Sequence, residues 1–251
     1  MAKQTRRTQA RDTKRRGETP VNVLDADPQQ FTFRPPPPLE AKTAAQGRYI
    51  AAIKRRGSVT FGIGSAGTGK TYIAGALACD ALKSRSVERI IITRPAVDAG
   101  ESMGFLPGEL EEKYEPYIAA FRAVLTERLG RGAVEMFLKN GRIEAVPLGY
   151  MRGLTFKDAF VVMDEAQNAT PEQMKLFLTR IGENCTVVIN GDESQVDIAG
   201  PSGLTDGVRR VGHIPCVSAI RFGAKDVVRS GFAQEVVEAY LDKTPEPPRA
   251  A

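Results

Sequence analysis

Residues 58–84 read SVTFGIGSAGTGKTYIAGALACDALKS, and the eight residues at the centre of this stretch decide the fold. A β-branched, apolar run, SVTFGI, leads into Gly64-Ser65-Ala66-Gly67-Thr68-Gly69-Lys70-Thr71, and an alanine- and leucine-rich helical segment leaves it. The pattern is G-x-x-x-x-G-K-S/T, a Walker A phosphate loop, set in the strand–loop–helix context that its chemistry requires. The glycines let the backbone close around a phosphate so that successive N–H groups point inward. The helix beginning near Lys70 adds the positive end of its dipole. Lys70 is placed to reach the β- and γ-phosphates of a nucleoside triphosphate, and the Thr71 hydroxyl to ligate Mg²⁺. Gly64 to Thr71 are therefore the expected phosphate contacts.

Outward from the loop, short apolar strands alternate with helices. TAAQGRYIAAIKRR precedes it with a helical pattern, and RIIIT follows as a buried strand. Residues 107–139 carry helical periodicity, IEAVPL reads as a short strand and AFVVMD as another. PEQMKLFLTRIG is a helix, CTVVIN and CVSAIRF are strands, and GFAQEVVEAYL closes as a helix. This alternation predicts an α/β fold: a parallel sheet with helices on both faces. The domain is expected to span residues 41–242. Residues 1–40 form a basic, disordered arm ending in Pro35-Pro36-Pro37-Pro38, a polyproline spacer, and residues 243–251 form a flexible tail.

Two further strand ends carry polar groups. FVVMDEAQNAT (160–170) runs four apolar residues into Asp164 and Glu165. An acidic pair there can simply cap a turn. Beside a phosphate loop, Asp164 suits a Mg²⁺ held through water, and Glu165 suits the base that polarises an attacking water. VVINGDESQVD places Asn190, Asp192 and Gln195 beyond another strand. NGD alone reads as a turn. At the sheet edge where α/β folds bind ligands, Gln195 could instead touch the γ-phosphate or the water and register hydrolysis.

Of the formal charge of +5, residues 1–16 hold seven basic side chains against Asp12, or +6, and the remaining 235 residues sum to −1. Such an arm can hold nucleic acid through phosphates, or be a solvated leader. The three cysteines, Cys79, Cys185 and Cys216, and the single His213 form neither a zinc spacing nor a disulfide framework. With no apolar leader and no window long enough to span a bilayer, the expected compartment is the cytoplasm, with no membrane partner.

The strings GSAGTGKT, TRPAVDAGESMGFLPGELEEKYEPY, PLGYMRGLTFKDAFVVMDEAQNATPEQMKLFLTRIG, VINGDESQVD and DVVRSG together resemble the PhoH-like (phosphate-starvation-inducible) ATPase family over about residues 42–241. The resemblance implies a RecA-like P-loop NTPase core, akin to the first motor domain of superfamily-one helicases, that uses ATP and Mg²⁺. By that analogy Gln46 reads the adenine edge, unless it is a plain solvent-facing helix residue. Thr93, Arg94 and Arg152 would face nucleic acid, although Arg94 also suits a structural or phosphate-facing role. Gln195 matches the sensor position, and Arg229 matches an arginine suited to transition-state charge. Three positions depart from the family pattern: Ser65 stands where proline is usual, IAGPSGL lacks a lysine before SGL, and Ser230 replaces a histidine. Some relatives carry a PIN-type nuclease domain, for which the first 40 residues offer no metal-binding cluster.

One phosphate loop and about 200 residues leave no space for a second motor domain. The missing wall of the site is then expected from a neighbour, which makes the protein a homo-oligomeric ring, a hexamer, with Arg229 as the arginine supplied in trans and Arg180 as runner-up. The expected activity is ATP hydrolysis coupled to RNA or single-stranded DNA binding or unwinding. The alternative is a nucleotide-dependent oligomeric switch or assembly protein without helicase activity. A small-molecule kinase fits less well, because a water-activating Glu165 would waste its ATP.

Overall fold

The computed structural model describes residues 36–95, 110–228 and 231, with only the course of the helix for 110–117. Six strands, β1 (Val59–Ile63), β2 (Arg89–Thr93), β3 (Ile143–Ala145), β4 (Ala159–Met163), β5 (Thr186–Gly191) and β6 (Val217–Arg221), form one sheet in the order β3-β2-β4-β5-β1-β6. Every pairing is parallel. All C-terminal strand ends therefore lie along one edge, where this class of sheet binds ligands. The fold is that of a P-loop NTPase with a RecA-like parallel sheet. The strand β5 lies between β1, which feeds the phosphate loop, and β4, which ends in the acids.

Side-chain alternation along the strands divides the core in two. On one face Ile90, Ile92, Phe160, Val162 and Val188 pack with the helices α1 (Ala44–Ile53), α2 (Lys70–Lys83), α3 (Leu110–Leu129) and α4 (Arg131–Lys139). On the other, Phe61, Ile91, Val161, Val187 and Ile189 pack with α5 (Pro171–Leu178) and α6 (Gly203–Val211). With cover on both sides, all five residues of β4 are buried, which is why AFVVM is a continuous apolar run rather than an alternating one.

The local signals mostly act as expected. The helix α5 opens with a capping box between Thr170 and Gln173 and Pro171 in its first turn. Three readings change. IEAVPL pairs as a strand only at Ile143–Ala145, and Pro147, without an N–H to donate, hands the chain to a 3-10 turn at Leu148–Met151. The helical pattern at 107–139 forms, over its described part 110–139, two helices divided at Gly130 with φ 83. The helix α6 was not expected at all, since GLTDGVRRV shows two glycines and few apolar residues. Gly203 is required there: a Cβ would lie 2.5 Å from the Thr170 carbonyl oxygen.

Residues 36–40 are docked on the domain, with the Pro37 carbonyl accepting from Arg128 Nη1 at 2.7 Å. The rest of the arm, the closing helix beyond Gly231 and the tail lie outside the described residues. Among the described residues no helix is long and apolar enough to cross a membrane.

Candidate functional site

The loop from Gly64 to Gly69 turns the chain from β1 into α2. Gly67 and Gly69 both have φ 83, a left-handed conformation that side chains resist. As the N-cap of α2, Gly69 offers no side chain to the first-turn N–H groups, which leaves those donors for an anion. Lys70 Nζ folds back to donate to the carbonyls of Gly64 (2.6 Å) and Ser65 (2.8 Å) and to Thr68 Oγ1 (3.2 Å). Burial lowers its pKa, while the negative charges of Asp192, Asp164 and Glu165 act to raise it. It is a cation already surrounded by acceptors.

Across the loop, Thr71 Oγ1 donates to Asp164 Oδ2 at 3.1 Å. Asp164 is fixed from behind by its N–H on the Thr93 carbonyl at 2.9 Å. Its carboxyl is pushed up to about 6, by burial first and by the adjacent Glu165 charge second, against the Thr71 hydrogen bond. A hydroxyl and a carboxylate facing one cleft suit Mg²⁺, which takes few protein ligands and keeps waters and phosphate oxygens. A buried acid whose carboxyl is raised by burial and by a like charge also suits a bound cation. Among the described residues there is no cluster of three or more metal-binding side chains, so a tighter all-protein metal cage is not offered.

This shift has a stability consequence. With the folded carboxyl at about 6 and the ordinary value at 3.8, the native state holds an extra proton between these limits. Stability without metal therefore falls as pH rises from about 4 to 6. Added Mg²⁺ should raise the melting temperature more at pH 7 than at pH 5. Equal stabilisation at both pH values would remove Asp164 as its anchor.

The third strand end completes the cleft. Ala66, Gly67, Lys70, Thr71, Asp164, Glu165, Asp192 and Gln195, with the exposed Tyr72, line one space of about 260 Å³. Thus Lys70, Thr71, Asp164, Glu165 and Gln195, separated widely in sequence, meet. Glu165 sits at φ 53, accepts from Gln167 Nε2 at 2.7 Å, and lies 4.0 Å from Arg94 Nη2. Asp192 Oδ1 accepts from the Ser194 N–H and hydroxyl.

Gln46 is buried rather than solvent-facing. Its Nε2 donates to the Thr68 carbonyl at 3.0 Å, and its Oε1 accepts the Lys42 N–H. It braces the back of the loop. Beside it Tyr49, fully buried, donates to Asn190 Oδ1 at 2.5 Å and meets Phe222 edge-on. Gly62 makes this possible, because a Cβ there would come within 2.7 Å of Asn190 Oδ1.

The expected nucleic-acid residues separate. Thr93 is fully buried and its hydroxyl has no hydrogen-bond partner, so its side chain does not face a polymer; its carbonyl positions Asp164 instead. Arg94 is partly exposed beside Glu165. Arg152 is exposed at the end of the turn that follows β3 and is not among the residues lining the cleft. Arg180 leans on the Leu154 carbonyl, and its own carbonyl accepts the Phe156 N–H ahead of β4, at the edge opposite the cleft. Arg229 lies outside the described residues, although its predecessor Val228 donates its N–H to the Gly67 carbonyl at 2.8 Å. Sequence reasoning gave no role to Gln167, Asn168 or Tyr49. The amides stand in the quoted acidic stretch, but only their partners reveal their use.

Comparison with known proteins identifies the family. The PhoH-like protein family model matches residues 38–241. The chain is 47% identical over 206 residues to a PhoH-like protein of Bacillus subtilis, covering 80% of this chain and 64% of that protein. It is 42% identical over 249 residues to protein PhoH of Escherichia coli, covering 95% and 70%. Among solved structures, the large terminase ATPase domain of a Thermus phage aligns at 13% identity with a TM-score of 0.45, over 77% of this chain and 85% of that one. On the family match and these identities, the chain belongs to the PhoH-like protein family.

Proposed function

We propose that this chain binds ATP with Mg²⁺ at the phosphate loop and hydrolyses it, coupling the cycle to RNA or single-stranded DNA as an oligomeric ring. The observation that carries the reading is the convergence of Lys70, Thr71, Asp164, Glu165 and Gln195 on one cleft. In this reading the loop N–H groups and Lys70 hold the phosphates, with Lys70 exchanging the Gly64 and Ser65 carbonyls for phosphate oxygens. Thr71 and Asp164 would hold Mg²⁺, which, when bound, neutralises charge that develops as the γ-phosphoryl group departs. Glu165 orients a water and takes its proton, and Gln195 lies where it can contact the γ-phosphate or that water.

The Arg94–Glu165 approach of 4.0 Å favours a nucleic-acid link. A guanidinium that is partly exposed and within reach of the base can be drawn away by a polymer phosphate, leaving Glu165 to its water. The test is phosphate release with poly-U RNA, with single-stranded DNA and with no polymer. Stimulation supports a polymer-coupled ATPase, and indifference supports the nucleotide switch. The variant Arg94→Ala should lose most of the stimulation; stimulation of wild-type size would exclude Arg94 as its route.

A further inference from the structure

Two amides following the acids have no part in the chemistry above, yet their side chains tie this turn to the loop after β5. Gln167 is 1% exposed, and its carboxamide joins two elements: Nε2 donates to Glu165 Oε2 at 2.7 Å, and Oε1 accepts the Asp192 N–H at 3.0 Å. Asn168 makes a reciprocal pair with Asp197, accepting its N–H at 2.8 Å and donating to Oδ2 at 3.2 Å. The loop 192–197, which carries Gln195, therefore hangs at both ends from one 3-10 turn, Ala166–Asn168. Within the loop, the Gln195 N–H donates to the Asp192 carbonyl at 3.1 Å. Gly191 makes room for the tie, since a Cβ there would lie 2.8 Å from Gln167 Oε1 and 2.6 Å from Leu204 Cδ2.

We propose that Gln167 is a positioning residue that yokes Glu165 to the loop bearing Gln195. Contact between Gln195 and a γ-phosphate then moves the loop and the Glu165 carboxylate as one unit. Only an amide of this length supplies a donor to a carboxylate and an acceptor to a backbone N–H from one plane. Burial strengthens both bonds and makes the loss of either partner costly. The inference rests on the reading of Glu165 as the water-activating group.

The test uses the full chain and five variants. Gln167→Glu keeps the acceptor for Asp192 but loses the donor and opposes Glu165 with like charge. Gln167→Met keeps length and bulk with neither bond. The others are Gln195→Ala, the Gln167→Met/Gln195→Ala double variant, and Glu165→Gln as control. Both Gln167 variants should lower kcat by roughly ten- to a hundredfold, the scale of a misplaced catalytic group. The Kd for a fluorescent ATP analogue should stay within about twofold, on the same misplacement argument that leaves phosphate contacts intact. If the two glutamines act through one unit, the double variant should be no more than about threefold slower than the slower single one. Wild-type kcat in Gln167→Glu, a Kd that weakens in step with kcat, or losses that multiply in the double variant would each overturn the proposal. Full turnover in Glu165→Gln would overturn the hydrolytic reading as well, a result distinct from any of these.

Discussion

Glu165→Gln is expected to reduce ATP turnover by about 10²–10⁴-fold, the usual contribution of a positioned general base. The replacement is nearly isosteric, so the chain path at φ 53 and the Gln167 contact region are disturbed little. What disappears is the carboxylate able to accept a proton from water. Nucleotide binding should persist, because removing a negative charge from a phosphate site does not weaken attraction for phosphates. The same change takes away the like charge that helps to hold the Asp164 carboxyl up at about 6. Phosphate release and fluorescent-nucleotide binding, measured side by side, check both halves. Hydrolysis within twofold of wild type would remove Glu165 as the base.

The second large effect tests the proposed ring. Arg229→Ala is expected to lower turnover by about 10³–10⁵-fold, the range found where an arginine stabilises phosphoryl-transfer charge. Val228 is hydrogen-bonded to the phosphate loop of its own chain, so the arginine that follows it has two candidate targets, its own loop and a neighbour's. Mixing Arg229→Ala chains with Lys70→Ala chains separates them. Recovered activity means that an intact arginine serves another chain's loop, as the ring requires. Loss without recovery places the arginine on its own loop, and the ring then loses its main argument.

Much of this architecture was legible in the residues. The phosphate loop needs only eight consecutive positions, and its glycines act through local backbone freedom. Four of the strands, β1, β2, β4 and β5, are largely apolar runs whose burial on both faces leaves a plain mark. The helix α6 escaped because Gly203 and Gly207 lower helix propensity, and only close packing against the Thr170 carbonyl and Met174 accounts for them. The nucleic-acid role expected for Thr93 came from the resemblance of TRPA to a helicase segment, whereas its side chain is buried because β2 lies between β3 and β4 with helices on either side. Gln46 was expected at either an adenine edge or the surface, and the structure places it beneath Thr68.

By itself, then, the sequence determined the alternating elements, the phosphate loop and the polar strand ends, because each depends on neighbours a few positions away. Tertiary structure decided which of those ends share a cleft. Thr71 and Asp164 meet across 93 residues of chain because β5 is paired between β1 and β4, with Phe61 and Val161 aligned to Ile189 and Val187. The pairing of β2 with β4 buried Thr93, and that of β4 with β5 supplied Gln167 with partners on two loops. These outcomes rest on strand order and register, which are set by burial summed over the whole sheet and leave no periodic signal in any one segment.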